Sequence, residues 1–93
     1  MKRAIIVHGF KGKPGTNWKP WLKRELEDKG FRVNVPEMPH TQTPQLKEWV
    51  DKLTETISLY ESDDIFLIGH SLGCITILKY LETLNGDQRQ RSL

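Results

Sequence analysis

Apolar and polar positions along the chain fall into blocks that alternate between two periods. Ala4-Ile5-Ile6-Val7 is an unbroken apolar run stopped by His8-Gly9. A run without polar alternation predicts a strand buried on both faces, as in a parallel sheet. Gly9 to Gly15 carries three glycines and a proline and predicts a loop. Trp18, Trp21, Leu22 and Leu26 then recur at i, i+3, i+4 and i+8, a helical stripe expected to pack on the sheet. Pro20 fits the first turn of that helix, and Gly30 fits the residue just past its end. Arg32 to Val35 alternates and runs into Pro36, which predicts a short second strand. Pro36 to Pro44 reads as an extended loop, with Thr43-Pro44 as an N-cap and first-turn proline. Leu46, Trp49, Val50, Leu53, Ile57 and Tyr60 hold helical spacing. Glu61 to Asp64 is a polar turn, Ile65 to Ile68 a third buried strand, and Gly69 to Gly73 a tight connection. Leu72, Ile75, Leu78 and Leu81 mark a third helix, closed by Asn85-Gly86.

Strands alternating with helices predict an α/β fold, a three-layer αβα arrangement around a short parallel sheet. The expected strand order is 2-1-3. It leaves Ile65 to Ile68 as an apolar edge, the kind that natural proteins avoid or cover. Residues 1–86 form one domain in this reading, and 87–93 a polar tail that frays.

Composition removes several classes. The chain has 93 residues, 37% of them hydrophobic and 28% charged, in ordered clusters that argue against disorder. No apolar run approaches the ~20 residues that span a bilayer. A net charge of +2 is too weak to argue for nucleic acid. The single Cys74 excludes an internal disulfide, and no close set of Cys and His suggests a metal. The four-residue run after Met1-Lys2-Arg3 is too short for a secretory signal, so a cytoplasmic protein is expected.

Gly69-His70-Ser71-Leu72-Gly73 matches G-x-S-x-G. Its context gives it meaning: it follows a buried strand and precedes an amphipathic helix, as a nucleophile elbow requires. Ser71 is then held at a sharp, strained turn that lifts its hydroxyl clear of the sheet. Gly69 and Gly73 avoid clashes with neighbouring backbone. The N–H of Leu72, at the start of the following helix, can stabilise an oxyanion. A second donor is expected from the His8-Gly9-Phe10 loop, with the N–H of Phe10 the best candidate.

The remaining polar candidates read as structural. His8 is expected to hydrogen-bond within its loop and His70 to brace the elbow with its ring turned from Ser71. His40 is a solvated loop residue in this reading, and Cys74 a small buried apolar one. Asp63 and Asp64 lie at the end of the sheet opposite Ser71 and form a turn. The stripes Trp18-Trp21-Leu22 and Trp49-Val50-Leu53 read as core, and Trp18, at the loop–helix junction, is the candidate pocket residue.

The chain resembles the small α/β-hydrolase-like serine hydrolases of the retinoblastoma-binding protein 9 and YdeN type. The stretches that carry this are His8-Gly9, Trp18-Lys19-Pro20-Trp21-Leu22 with Glu25-Leu26-Glu27, and Gly30-Phe31 with Val33. Met38-Pro39, Trp49 and Gly69-His70-Ser71-Leu72-Gly73-Cys74 complete the set. The resemblance runs from about Arg3 to Leu84 in matching order. It implies an esterase-like serine hydrolase without cofactor or metal, acting on a small ester-like substrate. Ser71 would be the nucleophile, with Leu72 and the His8-Gly9-Phe10 loop as oxyanion donors. The family's acid and base follow the nucleophile in chain order. Here only Glu82 and Asp87 follow it as acids, and no histidine does. The expectation is therefore the N-terminal half of a truncated α/β-hydrolase-like domain, with impaired activity.

Two other readings compete. Gly9, Gly12 and Gly15 with Lys11 and Lys13 could hold a phosphate, but the spacing fits neither glycine-rich phosphate motif, and Pro14 removes a backbone donor. A non-catalytic interaction or oligomerising fragment, whose edge strand Ile65 to Ile68 pairs with a partner or a second copy, is the stronger rival.

Overall fold

The computed structural model describes residues 1–9 and 18–84. The predicted Asn85-Gly86 helix stop and the tail lie outside them. The described elements are β1 (Lys2–Val7), α1 (Lys19–Asp28), β2 (Arg32–Asn34), α2 (Leu46–Ser58), β3 (Asp64–Gly69) and α3 (Leu72–Leu84). The sheet is parallel with order β2-β1-β3, as the sequence pattern predicts. β1 takes the centre and is covered on both faces. Ala4, Ile5, Ile6 and Val7 are all fully buried.

One face of β1 builds the core. Ile5 and Val7 pack with Trp49 and Leu53 of α2, Ile77 and Tyr80 of α3, and Met38 from the loop after β2. The crossover rule places α1 on the opposite face. Register puts Phe66 beside Ala4 on that face, where its ring meets Phe31 edge-on at 5.3 Å.

The helix ends follow local chemistry. Pro20 sits in the first turn of α1, where no intrahelical donor is lost. Gly30 takes φ 92° and donates its N–H to the Glu27 carbonyl, a helix stop that favours glycine. α2 starts later than Thr43-Pro44 suggests. Its N-cap is the extended Gln45, with no side-chain cap.

Three packing expectations are corrected. Trp21 is 57% exposed, and Lys19 is the buried residue of α1 instead, its ammonium near the Trp18 ring. Cys74 is exposed, not buried. On α3 the stripe Ile75, Leu78 and Leu81 faces outward, while Gly73, Thr76, Ile77 and Tyr80 face the core. Both sets have helical spacing. The inward one is selected because only Gly73 can meet β1, as shown below.

At the N-terminal end of the sheet, Arg3 ties the three strands together. Its Nε donates to Asp63 at 2.8 Å and its Nη1 to Asn34 at 2.6 Å. Its guanidinium lies 3.6 Å from the centre of the Tyr60 ring, and Asn34 donates to the Tyr60 hydroxyl. Arg3→Ala is expected to cost about 2 kcal/mol in urea unfolding, since it strips partners from half-buried Asp63 and Asn34. A cost below about 0.5 kcal/mol would show that water replaces the network.

Candidate active site

β1 and β3 end side by side, with Val7 opposite Gly69. Just beyond them the chain turns into α3, and Ser71 sits at that turn. Its φ is 56°, in the left-handed region that a residue with a Cβ adopts only at a cost. The neighbours impose it. His70 donates its N–H to the Val7 carbonyl at 3.1 Å, which extends the β1–β3 ladder to the residue before Ser71. Two residues after it, Gly73 lies against the same carbonyl, and a Cβ there would overlap the Val7 oxygen. A Cβ on Gly69 would meet the Cys74 nitrogen at 2.8 Å. The strand must therefore turn into the helix within two residues, and Ser71 absorbs the turn.

α3 starts at Leu72, so the Leu72 N–H has no carbonyl one helical turn behind it. The Gly73 and Cys74 N–H groups close the first turn onto His70 and Ser71 carbonyls at 2.9 Å. Thr76, buried beneath, donates its hydroxyl to the Leu72 carbonyl at 2.9 Å and holds that turn. Gly9, at the end of β1, rests on the elbow. A Cβ there would sit 3.1 Å from the Ser71 Cβ and from the His70 oxygen. Phe10, the expected second donor, lies outside the described residues, as do Gly12, Gly15, Lys11 and Lys13.

The histidines are placed as follows. His8 is fully buried, and both ring nitrogens are engaged. The Met38 N–H donates to Nε2 at 3.1 Å, so the ring proton sits on Nδ1 and is donated to the Gly9 carbonyl at 3.1 Å. Its ring meets Trp49 edge-on at 5.6 Å. Burial pushes its pKa down; the Gly9 carbonyl opposes that, Lys19 adds to it, and Glu37 opposes it. A neutral imidazole with both nitrogens occupied is no proton shuttle. His70 is exposed, and its ring stands edge-on to Trp18 at 5.7 Å. Trp18 therefore stands at the rim of the elbow, with Lys19 packed behind it. His40, in a left-handed conformation with φ 49°, pairs with Glu48 at 3.0 Å. Asp63 is held by Arg3 at the far end of the sheet.

Sequence reasoning missed the clamp that fixes His8. It consists of the Met38 N–H on His8, and the Trp49 indole donating to the Pro39 carbonyl at 2.7 Å. The proline-rich loop around Met38 gave no hint, because backbone groups do the holding. Among the described residues no cluster could hold a metal, and no helix is long and apolar enough to cross a membrane. A groove between α2 and α3, lined by Leu46, Val50, Lys79 and Thr83, contains none of these residues.

A strand, a left-handed serine and a helix N-terminus together present one hydroxyl beside one free-standing backbone donor, an arrangement suited to acyl transfer. Comparison with known proteins agrees in kind. A family model described as Serine hydrolase matches residues 4–92. The putative hydrolase YdeN of Bacillus subtilis is 37% identical over 86 residues, covering 89% of this chain and 43% of that protein. The rat serine hydrolase RBBP9 is 32% identical over 84 residues, covering 87% of this chain and 44% of that protein. The crystal structure of the B. subtilis ydeN gene product superimposes with a TM-score of 0.76 at 36% identity, over 88% of this chain and 44% of that one. The chain thus spans less than half the length of these relatives.

The His8 clamp makes a pH prediction. Because the folded pKa lies below the ordinary 6.5, the unfolded chain binds the proton more readily between the two values. Stability therefore falls as pH drops below about 6.5, by at most about 1.4 kcal/mol per pH unit, and levels off below the folded value. Urea midpoints across this range should show the loss, and His8→Gln should flatten it. An unchanged slope in His8→Gln would contradict the assignment.

Proposed function

We propose, from the premise that this chain belongs to the serine hydrolase family, that Ser71 is the nucleophile of an esterase-like reaction. Its Oγ attacks the carbonyl carbon of a small ester or related substrate while its proton passes to a base. The carbonyl oxygen becomes an oxyanion, received by the Leu72 N–H and by a donor in the Gly9-Phe10 loop. Collapse expels the alcohol and leaves an acyl-Ser71, which water hydrolyses. Trp18 and His70 form the wall on one side of the entering group. No cofactor takes part. A lone thiol in Cys74 accords with a cytoplasmic setting.

The observation that carries this reading is the φ of 56° at Ser71, directly before the first residue of α3. What the reading lacks within these residues is a base. His8 is occupied at both nitrogens, His70 stands against Trp18, and His40 is turned to Glu48. With none of the three histidines placed to take the Ser71 proton, slow acylation is the expected behaviour of these 93 residues by themselves. A second reading, a protein that works through contact, is favoured by Phe66, which is 46% exposed beside the β3 edge that no other described strand pairs.

Incubation of the 93-residue chain with an activated phenyl ester, read by intact mass, tests the role of Ser71. Slow acylation confined to Ser71 is expected, ~10⁴-fold or more below a complete triad, and absent from Ser71→Ala. Acylation that persists in Ser71→Ala would contradict the proposal. So would its absence after prolonged exposure of a chain that still unfolds cooperatively.

A further inference from the structure

A chain of contacts runs from the middle of α2 to Ser71. It begins at Trp49, which is fully buried and donates its indole N–H to the Pro39 carbonyl at 2.7 Å. That bond anchors the loop after β2 one residue from Met38. The Met38 N–H donates to His8 Nε2 at 3.1 Å, and His8 Nδ1–H donates to the Gly9 carbonyl at 3.1 Å. The His8 and Trp49 rings meet edge-on at 5.6 Å, so α2 holds the imidazole directly as well as through the loop. The chain ends where Gly9 rests on the elbow, its missing Cβ 3.1 Å from the Ser71 Cβ.

His8 is the rigid link. One ring nitrogen accepts and the other donates, and a half-turn of the ring would put carbon in place of both. The Met38 N–H and the Gly9 carbonyl would then lose their partners inside the protein, which is costly for buried groups. The ring therefore keeps one orientation, and the Gly9 carbonyl keeps one direction with it.

The last contact bears on the reaction. The Ser71 Oγ has three staggered positions about the Cα–Cβ bond. Gly9 lies against that Cβ and takes up part of the space into which the hydroxyl would turn. The carbonyl that His8 holds also belongs to the peptide leading into the loop from which the second oxyanion donor is proposed.

We propose that His8 and Trp49 are positioning residues for acyl transfer at Ser71, acting through Pro39 and Met38 on the Gly9 backbone that sets the direction of the Ser71 hydroxyl. The proposal rests on the reading of Ser71 as nucleophile. Neither residue touches the substrate, and no proton moves along the path. His8 holds the same tautomer before and after attack. A role confined to core packing would change stability and leave the rate per folded molecule as it is.

Two measurements on the 93-residue chain test this. One is Ser71 acylation by the activated phenyl ester, scored per folded molecule. The other is the set of Ser71 Hα–Hβ couplings, which report its rotamer without any reaction. Trp49→Phe keeps an aromatic ring and removes the indole N–H. His8→Phe removes both ring nitrogens, and His8→Gln returns an acceptor and a donor on one planar group. Acylation is expected to slow ~10-fold in Trp49→Phe and His8→Phe and to return to within about threefold of the parent in His8→Gln. The couplings should show one rotamer in the parent and an average in the two slow variants. Gly9→Ala breaks no bond of the path but presses on the Ser71 Cβ, and it should slow acylation as well. It keeps the test open where a His8 variant does not fold. Unchanged rates in Trp49→Phe and Gly9→Ala overturn the proposal, and so does a His8→Gln variant as slow as His8→Phe. A parent that is not acylated at all contradicts Ser71 as nucleophile, and the couplings then decide alone. Couplings that stay the same in Trp49→Phe overturn the positioning path.

Discussion

The Val7 carbonyl is where β1, the elbow and α3 meet. It accepts the His70 N–H and leaves no space for a side chain at Gly73. One oxygen thus fixes how far the β1–β3 ladder runs and how closely the helix approaches. The residues between must reverse direction, and Ser71 takes the left-handed conformation that results. The strain is held because the flanking ladder and helix turn over-determine it. The same contact sets where α3 begins, so the proposed nucleophile Ser71 and the proposed donor, the Leu72 N–H, are placed by one packing event.

The second support comes from the side of β1. His8 follows Val7 and is fixed in one tautomer by Met38 and Gly9, over the ring of Trp49. The loop after β2 is thereby tied to the loop after β1, and Gly9 is seated on the elbow. A histidine one residue from the site thus serves to hold a loop, and its chemistry is consumed in doing so. At the other end of the sheet Arg3 performs the corresponding task for three strands.

Much of this was legible in the sequence, because it rests on local rules. The apolar run at Ala4 to Val7, the glycine punctuation and the alternation of periods lead to a parallel sheet of order β2-β1-β3. G-x-S-x-G between a strand and a helix locates the turn. The face of α3 was not legible. Apolar residues lie all round that helix, and periodicity supports both the Leu72-Ile75-Leu78 stripe and the Gly73-Ile77-Tyr80 one. The close approach at Gly73 decides between them, and that is a contact across 66 residues of chain. Trp21 failed for a related reason. A stripe at helical spacing predicts a buried face only where something covers it, and here the stem of Lys19 lies inward instead. The apolar outer surfaces of β3 and α3 follow from the same fact. Among the described residues nothing packs on Phe66's side of the β3 edge beyond Phe31, or on the Ile75-Leu78-Leu81 flank of α3.

The central claim is that packing on Val7 forces Ser71 into a conformation that its own Cβ resists. Urea unfolding of Ser71→Gly beside Ser71→Ala measures this directly, because both variants lack the hydroxyl and differ only at Cβ. The account predicts that Ser71→Gly is the more stable by about 1 kcal/mol, as relief of a left-handed backbone outweighs the added freedom of the unfolded chain. Equal stability, or Ser71→Ala the more stable, would contradict it.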